Sequence, residues 1–224
     1  IAQPGPFDDN DVDSNSCGEL LRSHLGPAGD CAISRIRDRG FLREIHELDV
    51  TPAEIAEVDL DDPVVKSGRT TGVTYGLVRR TDVMVRIDYG APTGNMSIGC
   101  FEIGLDPSQA PPDGEISRPG DSGAFWMIAK KDNATNIFAG LHFAGEASTN
   151  TDEHALACYP NSVRKKLRFE LSPPAHLAVA GEDISAVLRT GFDERFLGQK
   201  APLPTLPTSL KRDAVNFGRK QLIP

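Results

Sequence analysis

Arg118-Pro-Gly-Asp-Ser-Gly123 runs directly into Ala124-Phe-Trp-Met-Ile-Ala129, a tight polar turn delivered onto an apolar strand. A nucleophilic serine needs a turn that exposes its hydroxyl and aims backbone N–H groups at one point, where the oxyanion of a tetrahedral intermediate can be held. Glycine on both sides of Asp121-Ser122 permits such a backbone. Ser122 is therefore the candidate nucleophile, and the N–H groups of Ser122 and Gly120 are the candidate oxyanion hole. Gly-Asp-Ser-Gly is also an ordinary turn between strands, so the surrounding segments decide its meaning.

Those surroundings are rich in strand signals. Ile137-Phe-Ala-Gly-Leu-His-Phe143 follows the Ser122 strand across the polar Lys130-Lys-Asp-Asn-Ala-Thr-Asn136, which predicts a hairpin. Val83-Met-Val-Arg-Ile-Asp-Tyr89 alternates strictly and predicts a half-buried strand. Gly76-Leu-Val-Arg-Arg80 reads as its partner, with Thr81 and Asp82 as a two-residue turn. Helix signals are few. Thr51-Pro-Ala-Glu54 offers a capping box for at most two turns, a short helix is predicted over 161–168, and another over 182–189 ahead of Gly191. Short strands punctuated by Gly and Pro predict an all-β barrel or sandwich rather than an α/β sheet.

Three further segments, Val64-Val-Lys-Ser-Gly-Arg-Thr-Thr-Gly-Val-Thr-Tyr-Gly-Leu-Val78, Ala139-Gly-Leu-His-Phe-Ala-Gly145 and Gly29-Asp-Cys-Ala-Ile33, join the Ser122 turn in one pattern. In order and spacing they resemble the bacterial and plant branch of the chymotrypsin-like (trypsin-fold) serine peptidases. The resemblance covers about residues 1–165. It implies two packed antiparallel β-barrels with the catalytic groups in the cleft between them, Asp30 as the acid that orients the base, and Ser122 as nucleophile. It implies hydrolysis of a protein or peptide substrate and no metal or other cofactor.

The family order is His, Asp, Ser, and only 29 residues precede Asp30. Their single histidine, His24, is too close to Asp30 and lacks the small-residue context of the family's base. A serine hydroxyl without that base is a poor nucleophile at neutral pH, so the chain alone is expected to be nearly inert. Either the His-bearing part of the first barrel lies on a segment upstream of Ile1, or this is a non-catalytic peptidase-like module. In the same resemblance His142 falls on the strand lining the primary specificity pocket, where glutamate-specific relatives use a histidine. Ile116 falls where trypsin-type enzymes place their pocket acid, which disfavours strict Arg or Lys preference. Arg69 reads as a turn residue, and 8–13 as a solvated acidic loop without the Gly and Glu of a calcium site.

The chain has 224 residues and a net charge of −8. Residues 163–224 carry 11 Lys and Arg against 6 acids, so an acidic body is joined to a basic end. Two parts are expected, a peptidase domain over 1–165 and a helical, Pro-rich extension over 166–224. Residues 191–224 are similar to the stretch that opens DNA/RNA non-specific endonuclease domains, which implies a possible fused nuclease. The catalytic motif of that family lies beyond this stretch, and Asp38-Arg-Gly-Phe41 is a decoy with Phe41 in place of the base. The 4 Cys are scattered, with Cys31 expected as an inert core thiol. No apolar run approaches the roughly 18 residues of a membrane span. A soluble, cytoplasmic protein without a membrane partner is the expectation.

Overall fold

The computed structural model describes residues 1–2, 11–37, 40–145 and 153–171. The helix predicted over 182–189, the Pro-rich stretch, the nuclease-like segment and the 8–10 part of the acidic loop lie outside them. Two strands, β1 (Gly18–Gly26) and β2 (Gly29–Ile36), pair only with each other, as an antiparallel hairpin. The remaining strands are β3 (Glu54–Ile55), β4 (Pro63–Gly68), β5 (Gly72–Asp88), β6 (Asn95–Leu105), β7 (Phe125–Lys130), β8 (Asn133–Gly145) and β9 (His154–Cys158), followed by α1 (Pro160–Leu167). Their order is β3-β8-β7-β4-β5-β6-β9, and β9 pairs back onto β8. Strands β4 to β9 therefore close on themselves as a six-stranded antiparallel barrel, which leaves no free edge among them. One of the two expected barrels is complete, and the β1–β2 hairpin stands for an incomplete first one. No helix among the described residues is long and apolar enough to cross a membrane.

The barrel closes because its strands present one large apolar face inward. Val64, Val78, Phe101, Ile103, Ile116 and Trp126 are all fully buried in its core. Gly140 lets Phe101 reach across, since a Cβ there would stand 2.5 Å from the Phe101 ring. A second cluster lies on the outside of the barrel, where Cys31, Ile98, Cys158, Val163 and Leu167 join the hairpin, α1 and the barrel wall. Arg22 of the hairpin donates to Leu167 O at 2.5 Å, which ties the same elements together at the end of α1. All four cysteines are free thiols. Cys31 is buried and its thiol is pushed up to about 11, first by burial and then by the Asp30 charge, in keeping with an inert core thiol.

The hairpin around the Ser122 strand is present as β7–β8. Its connection is tighter than the polar run suggested, because Lys131 and Asp132 both adopt positive φ (47° and 66°) in a two-residue turn. Val83, Val85, Ile87 and Tyr89 alternate half-buried with the exposed Met84, Arg86 and Asp88, as the pattern predicted. Two other expectations are corrected. Thr81 and Asp82 form no hairpin turn: they lie inside the continuous 17-residue β5, at a register irregularity where Asp82 has φ 54°. Thr51 to Glu54 starts no helix either. Ala53 N and Ala56 N donate to Asn136 O and Phe138 O, and β3 runs parallel to β8. Sheet partners remote in sequence outweigh the local capping signal.

Candidate active site

Ser122 lies in the turn that enters β7 and is exposed, as is Gly120. Gly120 has φ +107°, and a Cβ there would stand 2.4 Å from Thr70 Oγ1. Both conformation and close approach demand glycine at that point. Asp121 turns the opposite way and is 1% exposed. Its Oδ1 accepts from Thr70 N at 2.8 Å and Thr71 N at 3.2 Å. Its Oδ2 accepts from Thr71 Oγ1 at 2.7 Å, Arg118 N at 3.0 Å and Lys66 Nζ at 3.1 Å. Thr70 Oγ1 also donates to Pro119 O at 2.9 Å. The β4–β5 turn, residues 69–71, thus holds the Ser122 turn from behind, and Arg69 is a turn residue as expected.

Lys66 is the site residue that sequence reasoning passed over. Its side chain and that of Asp121 are both fully buried, and Nζ lies 5.4 Å from the centre of the Trp126 ring. Burial pushes the Lys66 ammonium down, while the Asp121 carboxylate opposes that shift. Burial would by itself push Asp121 up, but the Thr71 hydroxyl, the Thr70 N–H, Lys66 and the Arg118 N–H outweigh it and hold the carboxyl at about 2. A folded-state pKa below the unfolded one gives stability that is fully present above about pH 4 and lost as pH falls toward 2. Acid titration of the chain is expected to remove about 2 kcal/mol over this window, and urea unfolding at pH 5 and pH 2.5 should show a smaller loss in Asp121→Asn.

The Ser122 hydroxyl donates to Phe143 O at 3.4 Å, a long bond to a backbone acceptor. Gly123 N donates to His142 O and His142 N to Ala124 O, each at 2.9 Å, which docks the end of the turn onto β8. Among the described residues no group accepts from the N–H of Gly120 or of Ser122. Asp30, in β2, accepts a 2.7 Å bond on Oδ2 from the Tyr89 hydroxyl, and its own N–H donates to Cys158 Sγ at 3.2 Å. Burial pushes the Tyr89 phenol up, and the bond to Asp30 pushes it further. Leu141 and Phe143 of β8 pack in the cluster that holds Cys31 and Tyr89. His24 stands opposite Cys31 on β1, half-buried, with no partner on Nε2.

Ile116 and His142 both face the barrel interior, at 0% and 3% exposure. Thr74 Oγ1 donates to Ile116 O at 2.9 Å. The His142 ring meets Trp126 edge-on at 6.3 Å, and its Nδ1 has no partner. Burial pushes His142 down to about 4, with Lys66 adding to the shift and Asp121 opposing it. It is a neutral imidazole at neutral pH.

Neither the family models nor the curated proteins match this chain. Among solved structures, an alpha-lytic protease homolog named N4 superposes with a TM-score of 0.51 at 17% identity, covering 71% of this chain and 76% of that one. Chymotrypsin from Cellulomonas bogoriensis gives a TM-score of 0.50 at 20% identity, covering 68% and 73%. At such identities the likeness speaks for the backbone alone. The described part of this chain has the chymotrypsin-like fold, with one barrel closed and the other incomplete.

Proposed function

We propose that the chain is the nucleophile-bearing part of a serine endopeptidase. Ser122 Oγ would attack the scissile carbonyl and form an acyl-enzyme, and water would then release the acid. Asp30 would orient a histidine supplied by a segment upstream of Ile1, which accepts the Ser122 proton and returns it to the leaving amine. The N–H groups of Gly120 and Ser122 would hold the oxyanion. The observation that carries this reading is the exposed Ser122 on a glycine-flanked turn whose Asp121 is anchored from behind by five donors. Such rigid backing is what a preorganised oxyanion site requires. On the same reading the segments that carry Ile116 and His142 would flank the substrate side-chain pocket, the two side chains themselves lying inside the barrel, with strict Arg or Lys preference disfavoured.

A second reading, a peptidase-like module without catalysis that could accompany a fused nuclease, draws support from the partners of the two candidate residues. Asp30 is held by Tyr89 and Ser122 by a backbone carbonyl, so among the described residues neither meets a base. Fluorophosphonate labelling separates the two. In the chain joined to its upstream coding segment, the catalytic reading expects a covalent phosphonyl adduct on Ser122, with fluoride released, absent from Ser122→Ala and nearly absent from residues 1–224 alone. No Ser122-dependent adduct in the longer protein would leave the non-catalytic module standing.

A further inference from the structure

Asp30 is fixed on two sides. Its backbone N–H donates to Cys158 Sγ of β9 at 3.2 Å, and its Oδ2 accepts from the Tyr89 hydroxyl at 2.7 Å. Both contacts cross from the β1–β2 hairpin to the barrel, over 128 and 59 positions of sequence. A solvated turn aspartate needs neither. Among the described residues no hydrogen bond reaches Asp30 Oδ1, so the carboxylate keeps acceptor capacity for a further donor.

Tyr89 is built as a rigid donor. Its half-buried ring packs, as Leu141 and Phe143 do, against the cluster that holds Cys31, Ile98 and Cys158. Its N–H donates to Gly94 O at 3.0 Å, which closes the 89–94 turn at the end of β5. Burial and then the bond to Asp30 push the phenol up, so the hydroxyl keeps its proton at neutral pH. A 2.7 Å bond from a phenol to a carboxylate is of the charge-assisted kind, and it fixes the rotation of the carboxylate.

We propose that Tyr89 is a positioning residue, which holds Asp30 Oδ2 so that Oδ1 is presented to the N–H of the histidine supplied from upstream of Ile1. It acts on the Ser122 chemistry only through that carboxylate, and the proposal rests on the peptidase reading and deepens it. The phenol also takes up part of the negative charge of Asp30. Without it the carboxylate would hold the histidinium more firmly, and the histidine would lose its proton at higher pH. The thiols nearby do not titrate in that range. Cys31 of β2 is pushed up to about 11, and Cys100 of β6 and Cys158 of β9 to about 12, each chiefly by burial. His24 of β1, opposite Cys31, is the one imidazole of the hairpin itself.

The test is the pH dependence of fluorophosphonate labelling of Ser122 in the chain joined to its upstream coding segment. Tyr89→Phe keeps the ring and its packing. It should slow labelling about tenfold at neutral pH, the worth of one hydrogen bond to a charged group, and move the midpoint of the pH profile up. Replacing Tyr89 by 3-fluorotyrosine, a stronger donor of nearly the same volume, should move the midpoint down, and it keeps the test informative if Tyr89→Phe does not fold. His24→Gln should leave the midpoint in place. A tyrosine that merely ties the hairpin to the barrel would affect stability and leave the midpoint where it was. A midpoint unmoved by either Tyr89 replacement, moved the same way by both, or following His24 instead would overturn the proposal and leave the peptidase reading standing. No Ser122-dependent adduct in the longer wild-type protein would overturn both, so the two failures are distinct.

Discussion

Replacing Lys66 by Met is expected to lower the unfolding free energy by about 3–5 kcal/mol, read from urea denaturation near pH 7. The methionine keeps most of the aliphatic volume, so the loss does not come from a cavity. It comes from Asp121, which stays charged, fully buried and deprived of its Lys66 counter-charge. Four neutral donors remain on that carboxylate, from Thr70, Thr71 and Arg118, and they set the lower end of the range. The double variant Lys66→Met with Asp121→Asn should recover at least 1–2 kcal/mol of the loss, roughly the size of coupling that contacting residues show. A single-variant loss below about 1 kcal/mol would mean that the N–H cradle alone stabilises the ionised Asp121. Since Asp121 precedes Ser122 in the chain, hydrogen exchange of the 118–123 amides should accelerate in Lys66→Met more than exchange in β6.

Trp126→Ala is expected to cost a similar 3–5 kcal/mol, for a different reason. Trp126 is fully buried in the barrel cluster with Phe101, Ile116 and Ala139, so its truncation leaves a large cavity in the core. Its Nε1 has no hydrogen-bond partner, so Trp126→Phe removes no bond and should cost only about 1–2 kcal/mol. The smaller cost of Phe would tie the effect to volume. Trp126 is also the single Trp of the chain, so unfolding of the wild type can be followed by its fluorescence and that of the variants by circular dichroism. Loss of the indole removes a wall from His142, and the imidazole should move up from about 4 toward its ordinary range, visible in its proton resonances. An unmoved His142 would show that the Lys66 charge, not the apolar wall, keeps it neutral.

Local patterning made much of this legible. The alternation over 83–89 fixed a half-buried strand, the apolar runs around 130–136 fixed the β7–β8 hairpin, and α1 fell within a residue of the predicted 161–168 helix. Glycines marked the Ser122 turn because both φ and steric contact exclude other residues at Gly120. What failed was whatever depends on a partner far along the chain. Thr81 and Asp82 look like a turn in isolation, yet β6 pairs along both sides of them and the Tyr159 hydroxyl accepts from Asp82 N at 2.7 Å. Lys66 looks like one charge in a strand, and its partner is 55 positions away. The pairing of Asp30 with Tyr89 spans 59 positions and carries no local signature. Ile116 and His142 were expected to line a substrate pocket, and their depth inside the barrel follows from closure of the sheet, which no single strand announces.

The continuity of β5 has a mechanical meaning. It begins at Gly72, beside the Thr71 that grips Asp121, and ends at Asp88, beside the Tyr89 that grips Asp30. One unbroken strand therefore acts as a calliper whose jaws rest on both carboxylates, with the irregular stretch between Val78 and Val83 as its adjustment. A residue gained or lost in the 69–71 turn would disturb one jaw. The same change at the irregularity would reset the gap between them, so that stretch should resist insertions as stubbornly as any buried core position.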